Sequence, residues 1–147
     1  MFNVGFSYPG VNPQGQTNQG NSAQNQSAKI QQQQWQEAKQ KRYNEVYQHE
    51  LAHKTAGGSL AGNIVIETDS NGWAHGGHVN ITVPGLDTDN PEKTKELAEI
   101  VIKSAMAPSD PSGQDYKVAS EGRALLAAAE EQIEQNKTVG SKLDISA

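Results

Sequence analysis

At 147 residues, with a net charge of −5, no cysteine and a hydrophobic fraction of 34%, the chain is sized for one domain. Its acidic balance, with no basic cluster beyond Lys39-Gln40-Lys41-Arg42, argues against nucleic-acid binding and against an anchor on anionic membranes. The missing cysteines exclude a disulfide framework, a thiolate metal site and a cysteine nucleophile, so any metal must be held by histidine and carboxylate.

The N-terminus, Met1 to Gly10, has no basic stretch followed by an apolar one, and no segment approaches the ~20 apolar residues of a spanning helix. A cytoplasmic chain is therefore the default expectation, with export by a non-standard route left open. Nothing in the residues indicates an oligomeric state.

Residues 1–28 are rich in Gln, Asn and Gly and poor in large apolar side chains, which reads as a flexible, disordered N-terminal tail. The folded domain is expected over residues 29–136, with 137–147 frayed. From Ile30 to Thr55 the chain lacks Gly and Pro, and it stops at Gly57-Gly58, which predicts a long helix with a glycine C-cap. Its expected inward stripe is Trp35, Ala38, Tyr43, Tyr47 and Leu51.

The β-branched run Ile64-Val65-Ile66 predicts a strand. The turn signal Asp69-Ser70-Asn71-Gly72 follows, and the alternating segment from His78 to Val83 returns as its partner in a β-hairpin. Asp89-Asn90-Pro91-Glu92 is a helix start, predicting a helix to about Met106 with Leu97, Val101 and Ala105 on one side. After the loop at 107–112, a last helix is expected over roughly 114–135, burying Val118, Leu125, Ala129 and Ile133. The fold class is thus α+β: a long helix, a hairpin and two C-terminal helices.

The chemistry concentrates in His49-Glu50-Leu51-Ala52-His53. On a helix, residues i and i+4 share a face, so both imidazoles can reach one Zn²⁺ at ~2.0–2.1 Å. The intervening Glu50 lies to the side, where it can take a proton from a metal-activated water without competing for the ion. All four histidines, His49, His53, His75 and His78, fall in this helix and the following hairpin. Ala56 and Ser59 stand where a metzincin would carry Gly and His, which excludes that class.

His78 is the expected third ligand, since Gly76-Gly77 before it permits close backbone approach; His75, Glu67 and Asp69 are alternatives. An odd offset sends His75 and His78 to opposite faces of a strand unless the glycines form a bulge. Glu121 and the residues at 109–112 read as capping or supporting groups.

Four segments carry a resemblance: HELAHKTAGG at 49–58, NGWAHGGHVNI at 71–81, the stretch at 90–94, and SAMAPSDPSGQD at 104–115. In order and spacing they resemble the SprA-related family, a bacterial metalloprotease catalytic domain, over about residues 45–135. The resemblance implies His49 and His53 as zinc ligands and Glu50 as general base. The family carries Glu after the paired glycines where this chain has His78, and both side chains bind zinc.

The leading expectation is a zinc-dependent hydrolase, a metallopeptidase acting on a peptide or protein substrate. The alternatives are a non-catalytic zinc-binding interaction module, and a structural protein with a chance surface HExxH.

Overall fold

The computed structural model describes residues 18–144, with side chains from 22 to 143. Residues 1–17 of the expected tail and the last three of the chain lie outside the described residues. In chain order the elements are α1 (Asn18–Gly57), a 3₁₀ turn (Gly58–Leu60), β1 (Ala61–Thr68), β2 (Ala74–Ile81), α2 (Pro91–Ala105) and α3 (Gly113–Asp144). This is the α+β arrangement expected. Helix α1 begins well ahead of Ile30, and α3 continues past residue 135. Among the described residues no helix is long and apolar enough to cross a membrane.

The chain divides into two compact units, Met1–Ala38 and Lys39–Ala147. In the first, every described side chain is exposed. The second holds the hairpin, α2, α3 and the motif-bearing end of α1.

The inward stripe of α1 differs from the expected one. Trp35, Tyr43 and Tyr47 are 41%, 39% and 38% exposed, whereas Val46, Glu50, His53 and Gly57 are buried. Those four positions also recur at helical spacing. Apolar periodicity does not reveal this face, because two of its members are ionisable.

Gly58 adopts φ +54 and ends the helix in the left-handed region, as a glycine C-cap does.

Strands β1 and β2 form a two-stranded antiparallel sheet. The Asp69 carboxylate accepts from the backbone N–H groups of Asn71 at 2.8 Å and Trp73 at 2.9 Å, which closes the turn between them. Strand β1 extends beyond Ile64–Ile66 at both ends, and β2 starts at Ala74, taking in both glycines, and ends at Ile81, two residues before the expected Val83. Its pairing runs Val65↔His78, Ile66↔Gly77, Glu67↔Gly76 and then Thr68↔Ala74, leaving His75 as an extra residue in a bulge.

Helix α2 starts as predicted: the Asn90 side chain accepts from Lys93 N at 3.2 Å and Pro91 occupies the first turn. Its buried face is Pro91, Thr94, Ala98, Val101, Ser104 and Ala105. Ala119, Gly122 and Ala129 are buried on α3. Leu97 on α2 and Val118, Leu125 and Ile133 on α3, all expected inside, are only half-buried. The core is thus built largely from alanine and valine, and small side chains of this kind let helix backbones approach closely.

Candidate metal centre

His49 and His53 occupy successive turns of α1, and their imidazoles meet edge-on with centroids 5.1 Å apart. The third member comes from a distant part of the chain. Asp115, in the first turn of α3, places Oδ1 3.3 Å from His53 Nε2 and Oδ2 3.9 Å from His49 Nε2. One ligand atom from each of His49, His53 and Asp115 lies within 4.8 Å of the others.

The ring nitrogens on the other side are also engaged. His53 Nδ1 lies 2.8 Å from the carbonyl oxygen of Ser104, in the last turn of α2. A carbonyl only accepts, so Nδ1 carries the hydrogen. His49 Nδ1 stands 3.2 Å from Asp110 Oδ1 and donates in the same way to that carboxylate. In the neutral imidazoles both Nε2 atoms are then bare lone pairs facing a carboxylate. Acceptors turned on acceptors repel unless a cation or proton lies among them. This donor set fits a divalent zinc ion: two imidazoles in the tautomer that ligates through Nε2, one carboxylate, and outer hydrogen bonds that hold the rings.

Glu50 lies beside this set. It is 4% exposed, and burial pushes its carboxyl above the ordinary carboxylate range, an effect reinforced by Asp115 and opposed by His53, His49 and His78. Two clefts open on it. One, of about 560 Å³, is lined by His49, Glu50, His53, Asp115 and the β2 residues Gly77 to Ile81. The other, of about 660 Å³, is lined by His49, Glu50, Gly77 and the loop from Ala107 to Asp110.

Gly77 is the point where β2 crosses α1. A Cβ there would lie 2.8 Å from the Val65 carbonyl oxygen, 2.9 Å from Glu50 Cγ and 2.9 Å from Val46 Cγ1. The paired glycines were expected to bring the backbone close to a metal; at Gly77 the close approach is instead to α1, at Glu50 and Val46.

His78, the expected third ligand, is not in the converging set. Its Nδ1 lies 3.3 Å from Glu67 Oε1, and both side chains are about half exposed. The physical reason is strand alternation. Gly77 faces the helix, so the next side chain turns away, although His78 still lines the cleft. The bulge brings His75 to the same carboxylate, with Nδ1 3.9 Å from Glu67 Oε2. Glu67, His75 and His78 form an exposed group on the hairpin, outside the converging set of His49, His53 and Asp115. Asp69 is committed to its turn.

Asp110, within the run 109–112 expected to cap or support, is the outer partner of His49, whereas Asp115 carries no expectation from the sequence although it falls in the segment 104–115. The usable signal was Ser112 followed three residues later by Asp115 at a helix start, a capping-box spacing that places the acid in the first turn. Periodicity gives no hint that this first turn abuts α1. Of the lesser candidates, Glu121 lines the 560 Å³ cleft.

No curated protein and no solved structure matches the chain. The sequence profile of the SprA-related family matches residues 12–145, and the chain accordingly belongs to the SprA-related family.

Proposed function

We propose that this protein is a zinc-dependent metallopeptidase, with His49, His53 and Asp115 as the metal-holding residues and Glu50 as general base. The observation that carries the reading is the convergence of three donors within 4.8 Å beside a buried carboxylate at the floor of a cleft. Three protein donors leave a zinc ion with an open position, the pattern of catalytic rather than structural sites. Zinc in such a site supplies Lewis acidity, polarising a carbonyl and making a water molecule easier to deprotonate.

The chain's own residues supply the rest. Glu50 accepts a proton from the attacking water and returns it to the leaving amine nitrogen; its burial makes it a better base than an exposed carboxylate. Asp110 and the Ser104 carbonyl hold the two imidazoles in the ligating tautomer. A peptide substrate is favoured by the cleft wall. Five consecutive residues of β2, Gly77 to Ile81, line it, and β2 pairs only with β1 among the described residues. An unpaired strand edge offers alternating N–H and C=O groups to an extended peptide. A chance surface motif is disfavoured, because Glu50 and His53 are 4% and 3% exposed.

The test is zinc content after dialysis, together with cleavage of a mixed peptide library by wild type and by Glu50→Gln. Stoichiometric zinc in both, with cleavage only in wild type, is expected. Zinc retained without cleavage by either would make the protein a non-catalytic zinc-binding module, and absence of zinc would sink the metal reading altogether.

A further inference from the structure

We infer that Ser112 is a positioning residue for the metal centre, acting through a reciprocal capping box that sets the Asp115 carboxylate. This rests on the zinc reading above. Ser112 precedes α3, and its carbonyl accepts the first helical hydrogen bond, from Tyr116 N at 3.1 Å. The Ser112 hydroxyl accepts from Asp115 N at 3.2 Å, and Ser112 N donates to Asp115 Oδ2 at 2.6 Å. The two residues therefore hold each other from both sides.

One carboxylate serves two structures. Its Oδ2 is taken up by the cap, which orients the whole group, and its Oδ1 is left 3.3 Å from His53 Nε2. Capping boxes ordinarily use the longer Glu or Gln at this third position. The shorter Asp keeps the carboxylate close to the helix start, with Oδ2 on the cap and 3.9 Å from His49 Nε2, and Oδ1 turned to the His53 imidazole. Pro111, immediately before Ser112, stiffens the approach to the cap.

The coupling extends along the connection between α2 and α3. Ser104, Asp110 and Asp115 supply every polar contact described above to the two imidazoles. Helix α1 contributes the ligating pair, and a single segment contributes the third donor and both outer partners. A loosened cap at Ser112 thus displaces the third donor without touching either histidine.

The test is zinc affinity of the full chain by competition with a chromophoric chelator, alongside the melting temperature of the metal-free protein. Ser112→Ala removes the hydroxyl and should weaken zinc about tenfold, the low end for loss of an outer-shell partner. Ser112→Thr, which keeps a capping hydroxyl, should restore affinity. With Co²⁺ in place of zinc, the visible spectrum of Ser112→Ala should differ from those of wild type and Ser112→Thr. Wild-type zinc affinity in Ser112→Ala, with only a lower metal-free melting temperature, would show a purely structural cap and overturn the inference. If wild type itself holds no zinc, the metal reading falls and this one with it; tight zinc in both wild type and Ser112→Ala sinks the positioning role alone.

Discussion

Asp115 Oδ1 lies 3.3 Å from His53 Nε2, so the first turn of α3 reaches the histidine face of α1. The same imidazole is held at Nδ1 by the Ser104 carbonyl at 2.8 Å, which makes His53 the residue where α1, α2 and α3 meet. It is 3% exposed, so this junction also belongs to the packed interior.

If Asp115 is the third donor, Asp115→Ala should weaken zinc by more than the ~10–100-fold typical of an outer-shell partner. His78→Ala should stay close to wild type. Isothermal titration of both variants separates the two residues, and a reversed order would return the third position to the hairpin.

Glu50→Gln should leave zinc affinity nearly intact while lowering peptide cleavage by about 10²–10⁴-fold, the usual contribution of a general base. Turnover measured on a single peptide taken from the wild-type cleavage products checks this. A variant that cleaves at the wild-type rate would remove Glu50 from the chemistry.

In metal-free protein, Glu50 should also show itself as a stability defect. Its folded-state pKa is raised by burial, so folding is opposed as pH climbs from the ordinary carboxylate value through the raised one. Below that window both folded and unfolded states are protonated and the penalty vanishes. Glu50→Gln should therefore melt above wild type at neutral pH, with the gap closing on acidification. Thermal melts in chelator across pH 4 to 7 measure it. A gap that does not change with pH would point to packing instead.

Gly77→Ala should destabilise the chain by about 1–3 kcal/mol, the cost of overpacking where the neighbours are backbone and buried side chain. Two of the three contacts, with the Val65 carbonyl oxygen and Glu50 Cγ, have little freedom to move. Denaturant unfolding checks this, and Gly85→Ala, which meets nothing within 4 Å, is the control.

Local chemistry was legible in the residues. The helix stop at Gly57-Gly58, the Asp69 turn and the Asn90-Pro91 start each depend on neighbours along the chain, and each appears in the structure. The inward face of α1 is not legible in apolar periodicity, because it carries Glu50 and His53, residues that hydropathy assigns to water. The hairpin is readable as a unit, but the bulge at His75 and the side to which His78 faces both depend on cross-strand register.

The pairing of the two imidazoles, with the acid between them, can be read from residue order alone, because the helical repeat fixes which residues share a face within one turn. Which further donor lies against the two imidazoles depends on packing: Asp115 does, and His78 does not. Asp115 and His78 are both donors of suitable chemistry, and choosing between them requires knowing how α3 and β2 lie against α1. That packing follows from many small buried contacts, among them the alanines of α2 and α3 and the close crossing at Gly77, and no spacing along the chain encodes it.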